Sequence, residues 1–137
     1  MDRNLEDRFG KFLIKGMREE PLEMYESIKK NALNGKANKF LHPDLVQRAN
    51  DLDSLVQSLN VTQLEQLDRL IKVIVDNAAF STLREFQEAL DECDGTEKID
   101  LRIEGQKVTE LDLLSGSLFG EYLLWVEKFS NFGEAEF

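Results

Sequence analysis

One cysteine, Cys93, and one histidine, His42, are the only thiol and the only imidazole in this sequence. Chemistry of the Cys-His type therefore has a single candidate dyad, and a lone histidine excludes zinc sites built on a His pair. The neighbours of both residues argue against the dyad. His42 precedes Pro43 in a loop-like stretch, and Cys93 stands among Asp91, Glu92 and Asp94, whose negative charge disfavours a thiolate. The acidic segment DECDGTEKIDL has the composition of a calcium loop, but Gly95 at the sixth position would make Leu90 the first ligand and Leu101 the last. It is not an EF-hand. GSLFGE, from Gly116 to Glu121, lacks the lysine and the glycine spacing of a phosphate-binding loop. Ser117 follows Gly116 directly, so the segment is not a nucleophile elbow either. Paired carboxylates could perform acid-base catalysis, yet 27 Asp and Glu residues give that reading no specific pair. No catalytic, metal-binding or cofactor-binding residue is assigned from the sequence, and no cofactor is expected.

Charge narrows the partners. Residues 1–50 hold ten Lys/Arg against eight Asp/Glu (+2), and residues 51–137 hold seven against 19 (−12), so the net −10 belongs to the second part. Such a surface repels phosphate backbones and excludes direct nucleic-acid binding as the expected role; a basic protein face is the complementary partner. Asp91, Glu92, Asp94, Glu97 and Glu104 are the candidate partner-facing patch. The longest apolar runs, such as IKVIV with its internal lysine, fall far short of the roughly 20 residues a membrane span needs. A lone cysteine and no leader-like segment after Met1 point to a reducing, cytoplasmic setting.

The elements that would position these groups are mainly helical. A chain of 137 residues, 42% hydrophobic with nine Phe, predicts one domain over 1–137 with its own core. Leu5, Phe9, Phe12, Leu13 and Met17 fall on one side of a first helix, opposite a solvated basic face of Arg8, Lys11, Lys15 and Arg18. Pro21 suits the first turn of a second helix, carrying Leu22, Tyr25, Ile28, Ala32 and Leu33 up to a stop at Gly35. Pro43 starts a third, with Leu45, Val46, Ala49, Leu52, Leu55, Val56 and Leu59 at helical spacing. Thr62 and Glu65 have the spacing of a capping box for a fourth, and Asn60 before them reads as part of a capping segment. Ser81 or Thr82 starts a fifth helix, or continues the fourth with a kink, and Gly95 ends it.

After Gly95 the period changes to two. Ile99, Leu101 and Ile103 alternate with Asp100, Arg102 and Glu104, and a turn around Glu104, Gly105 and Gln106 predicts a β-hairpin that needs a helix to lie on. Ser117 then caps a last helix in which Leu118, Tyr122, Trp125, Phe129 and Phe132 recur at spacings of 4, 3, 4 and 3. The expected fold is mainly α (α+β), a compact bundle of about five to six helices with one small β-hairpin near the C-terminal helix.

The stretch LSGSLFGEYLLWVEKFS also resembles the tail of small uncharacterised bacterial proteins. These share L-S, a short glycine-bearing turn, L-x-G-E, then Trp and F-S, matched here by Leu114, Ser115, Leu118, Gly120, Glu121, Trp125, Phe129 and Ser130. The resemblance covers about the last 55 residues, implies an apolar helix from about Ala78 followed by the hairpin, and brings no assigned activity. Many of those proteins carry a histidine where Phe119 stands and Asp-Gly where Gly116 and Ser117 stand, so the resemblance does not carry a polar site at those positions over to this chain. Two functions remain as expectations. One is a non-enzymatic interaction module, of the inhibitor or immunity type, for a basic partner; the other is a small enzyme with a carboxylate-lined pocket.

Overall fold

In the computed structural model, which describes residues 4–35, 42–92 and 101–137, the first helix does not stop at Pro21. Helix α1 (Asn4–Ile14), a π-helical turn (Lys15–Glu19) and α2 (Glu20–Asn34) form one unbroken run. Proline has no N–H, and its ring collides with the carbonyl four residues back, so it breaks an ordinary helix. Here the ladder has already slipped: Glu20 N–H bonds to Lys15 O, a five-residue step. The same slip turns two consecutive charged residues, Arg18 and Glu19, into the interior. Arg18 is therefore fully buried, not part of a solvated basic face. Gly35, at φ 63°, takes the left-handed conformation that closes α2.

Helix α3 (Pro43–Ser58) begins on His42, whose Nδ1 accepts from Asp44 N–H at 3.3 Å. Helix α4 runs without interruption from Val61 to Glu92. Its capping box lies two residues earlier than the Thr62/Glu65 spacing predicts: Gln63 N–H donates to Asn60 Oδ1 at 2.8 Å, and Asn60 N–H to Gln63 Oε1 at 2.9 Å. No helix starts at Thr82, because its hydroxyl turns back onto Ala78 O at 2.8 Å. Among the described residues, six predicted helices thus merge into four continuous runs. Cys93, Asp94, Gly95, Glu97 and Ile99 lie outside the described residues.

Strands β1 (Arg102–Ile103) and β2 (Gln106–Lys107) pair antiparallel, with Ile103 opposite Gln106. The two loop residues, Glu104 at φ 50° and Gly105 at φ 84°, both have positive φ, as a tight hairpin turn matched to strand twist requires. A short 3-10 turn (Val108–Glu110) leads to α5 (Leu118–Phe129), which opens on Ser117: its hydroxyl accepts from Gly120 N–H at 3.1 Å. Phe132 lies beyond the end of this helix, in an irregular tail.

The core gathers Phe9 and Ile14 from α1, Ala79, Leu83 and Leu90 from α4, Val108 and Leu111, and Leu118, Tyr122, Trp125 and Val126 from α5. The hairpin is tied to α1 by the Arg8–Glu104 pair, and Leu101 and Ile103 pack against the core and share a recess with Arg8, Phe9 and Phe12. Phe9 in turn meets the Trp125 ring edge-on at 5.9 Å, linking hairpin to α5. Helix α3 makes its main contacts with α2 alone, so only Val56 of its apolar residues is fully buried. Leu45, Leu52 and Leu55 are exposed, as are Phe12, Ile28 and Leu33. A single packed neighbour covers one flank of a helix, and these stripes are wider than that flank.

Gly10 sits directly against the Trp125 indole, and a methyl group there would overlap the ring. Alanine normally favours a helix over glycine by about 1 kcal/mol. Gly10→Ala is expected to reverse that sign and destabilise by about 1–3 kcal/mol through overpacking. A thermal melt checks it, and a variant that melts above the parent contradicts the packing.

Candidate functional site: a saturated arginine clamp

The densest meeting of chemically capable groups lies where the π turn, α4, α5 and the tail converge. Arg18 and Asp76 are both fully buried there, 2.8 Å apart through Arg18 Nε and Asp76 Oδ1. A guanidinium has five N–H donors in a fixed fork, and all five are used. Nε and Nη2 donate to Asp76 Oδ1 and Oδ2, at 2.8 and 3.3 Å. Nη1 donates to Ser130 Oγ and, at 3.0 Å, to Gly133 O; Nη2 also donates to Glu134 O at 2.9 Å.

Asp76 is equally filled. Besides the arginine, Oδ1 accepts from the Tyr122 hydroxyl at 2.5 Å, and Oδ2 accepts from Glu136 N–H at 2.7 Å. A carboxylate offers about four acceptor positions, so none is left for a substrate. Glu19, the second acid turned inward by the π slip, accepts from Ser130 Oγ and from Asn131 N–H at 3.1 Å. Its charge fixes the start of the tail as Asp76 fixes its end.

A second polar knot holds the loop before α5. Glu121 is fully buried, and its Oε2 accepts from Ser115 N–H at 3.0 Å and Ser115 Oγ at 2.9 Å. Gln87 Oε1 accepts from Leu118 N–H at 2.9 Å, tying that loop to α4. Gly116 takes φ 79°, and a side chain at Gly120 would crowd Ser115 and Ser117. Serine, glycine and glutamate here start and anchor a helix; they do not cradle a ligand.

Burial and the hydrogen bond and charge of Asp76 raise the Tyr122 hydroxyl above its ordinary titration range, against a smaller lowering by Arg18. Tyr25 is raised likewise, by burial and by its 2.5 Å hydrogen bond to Asp68. Lys29 shares Asp68 at 2.7 Å; burial lowers its pKa, but hydrogen bonds to Asp68 and Glu26 outweigh this and raise it.

Of the candidate patch, Asp91 and Glu92 are exposed at the end of α4, Asp91 accepting from Gln87 Nε2 at 2.9 Å. Glu104 is at the hairpin tip, paired with Arg8. Asp94 and Glu97 lie outside the described residues. The structure adds exposed acids that linear spacing does not connect: Glu88 on the last turns of α4, and Glu110 and Asp112 in the loop that packs on Leu90. Among the described residues no group of three His, Cys, Asp or Glu side chains could hold a metal ion, and no helix is long and apolar enough to cross a membrane. No protein-family model matches the chain, and neither the curated proteins nor the solved structures hold a significant match to it.

A raised tyrosine pKa stabilises the fold while the hydroxyl stays protonated. That contribution is complete below the unfolded value of about 10 and is lost as pH rises from there toward the folded value. Chemical denaturation across this alkaline range is expected to show a stability loss of up to about 1.4 kcal/mol per pH unit from Tyr122. Tyr122→Phe, less stable at neutral pH for want of the bond to Asp76, should show a shallower alkaline slope; parallel slopes would contradict the assignment.

Proposed function

We propose that the chain is a non-enzymatic protein-interaction module, an inhibitor or immunity-type binder whose acidic surface at the end of α4 engages a basic face of another protein. The observation that carries this reading is the polarity of that helix end. A helix C-terminus bears a partial negative charge and favours cations, yet the last described turn of α4 has no basic residue and exposes Asp91 and Glu92, with Glu88 exposed one turn before. These carboxylates oppose the helix dipole. Asp112, exposed and sharing a recess with Gln87 and Leu90, extends the negative field from the neighbouring loop. A basic partner relieves the repulsion, and the gain appears as steering and association rate.

The saturated clamp supports the same reading over catalysis by carboxylates. Glu19 and Asp76 converge, but the chain's own arginine, hydroxyls and tail amides occupy them, and both are buried. The adjoining recess of about 450 Å³ between α5 and the tail is lined by Glu127, Ser130 and Glu134 among others, and by none of Arg18, Asp76 or Glu19.

The test begins with affinity capture at low and high salt and continues with stopped-flow association of the captured partner. Neutralising Glu88→Gln, Asp91→Asn and Glu92→Gln together should slow association by roughly tenfold or more at low salt, while added salt slows the parent in the same way. The melting temperature should stay near the parent's, because exposed charges contribute only about 0–1 kcal/mol each. An on-rate indifferent to both salt and the triple change would refute the proposal.

A further inference from the structure

We propose that the recess between the end of α4 and the loop before α5 is a socket for one arginine side chain of a basic protein partner. The socket rests on the interaction reading above and gives that acidic surface a defined anchor point. Gln87, Leu90, Val108, Thr109, Asp112 and Gly116 are among the residues that enclose it, around about 130 Å³. Pockets for whole small-molecule ligands run to roughly 300–1,000 Å³. A space of this size admits a single side chain, and arginines seated in such pockets are among the anchors that carry most of the affinity at protein interfaces.

The hydrogen-bonding capacity left inside selects a donor. The Gln87 amide is already committed, its Oε1 accepting from Leu118 N–H at 2.9 Å and its Nε2 donating to Asp91 at 2.9 Å. The N–H groups of Leu113 and Gly116 donate to Leu111 O and Leu113 O, at 3.0 and 3.1 Å. What remains is acceptor: the second lone pairs of those carbonyls, the Thr109 hydroxyl and the Asp112 carboxylate. Neither of these two side chains makes a hydrogen bond or ion pair among the described residues. A guanidinium, with five donors in a planar fork and no acceptor, complements that set; an ammonium is a compact point charge that holds its water more strongly.

Charge gives an independent reason. Elsewhere in the fold the chain's own cations meet its carboxylates: Lys128 meets Asp7, Lys29 meets Asp68, Arg18 meets Asp76 and Arg8 meets Glu104. Among the described residues no Lys or Arg lines this recess. Behind its wall stands Glu6, only 8% exposed, whose Oε1 accepts from Asp112 N–H at 3.3 Å. Its Oε2 has no hydrogen-bond partner among the described residues. A buried carboxylate left half-paired is costly, and its field is screened far less than that of a surface charge. A cation seated beside Asp112 offsets both acids at once.

The probe is a capped tripeptide with arginine between two alanines, titrated into the full chain and followed through the backbone amide resonances of Thr109, Leu113 and Gly116. These should shift saturably with the arginine peptide, less with its lysine counterpart, and not with the citrulline one, which keeps the shape and loses the charge. Asp112→Asn should weaken binding by roughly tenfold, as expected for one charge-assisted hydrogen bond. The melt should stay near the parent's, the side chain being exposed. With the captured partner, Asp112→Asn should speed dissociation, whereas the triple change at the end of α4 slows association. Amides that do not move, equal binding of the citrulline or lysine peptide, or an Asp112→Asn variant that binds like the parent would overturn the socket. The acidic surface still stands in those cases if partner association follows salt and the triple change. Conversely, a filled socket beside an indifferent on-rate removes that surface and keeps the arginine site.

Discussion

A guanidinium and a carboxylate taken fully out of water carry a desolvation cost of several kcal/mol each, which their mutual attraction repays only if every remaining donor and acceptor is met. Arg18 and Asp76 impose that condition on the rest of this fold. The arginine's fork demands acceptors beyond the aspartate, and Ser130 and the carbonyls of Gly133 and Glu134 supply them. The aspartate demands donors beyond the arginine, and Tyr122 and the Glu136 amide supply those. One ion pair therefore fixes the rotation of α4, the depth of α5 and the course of a tail that has no regular structure of its own.

The π turn makes this pair reachable. In a regular helix, consecutive residues point about 100° apart, and Arg18 and Glu19 could not both face inward as fully. The slip between Lys15 and Glu20 brings them there and absorbs Pro21. Local irregularity, buried charge and an ordered tail are thus three aspects of one arrangement. Groups whose donors and acceptors are filled internally in this way hold the shape.

Much of this was legible in the sequence and the rest was hidden for definite reasons. The spacing of Leu118, Tyr122 and Trp125 located α5, and Ser117 caps it as its position suggests. The Glu104–Gly105 turn was visible from period-two alternation followed by glycine. Arg18 was missed because a periodicity reading assigns every arginine to solvent, and a π slip leaves no pattern of its own. Pro21 does stand in the first turn of α2, as its type suggests, and the π turn joins that helix to α1 without a break. Leu45, Leu52 and Leu55 recur at helical spacing yet are exposed, because spacing records an apolar stripe but not how many neighbours are available to cover it. Acids are legible as neighbours only where they are contiguous in sequence; Asp112 shares a recess with Leu90 through the fold of its loop.

The dependence of the fold on the buried pair is most directly tested by a double-mutant cycle in urea with Arg18→Met, Asp76→Leu and the two combined. Each single change strands a buried charge and should cost about 3–5 kcal/mol. The combined variant, with no charge left to strand, should be more stable than the less stable single, so that the losses are far from additive. Near-parental midpoints for the singles, or losses that simply add, would contradict the claim that this pair organises the structure.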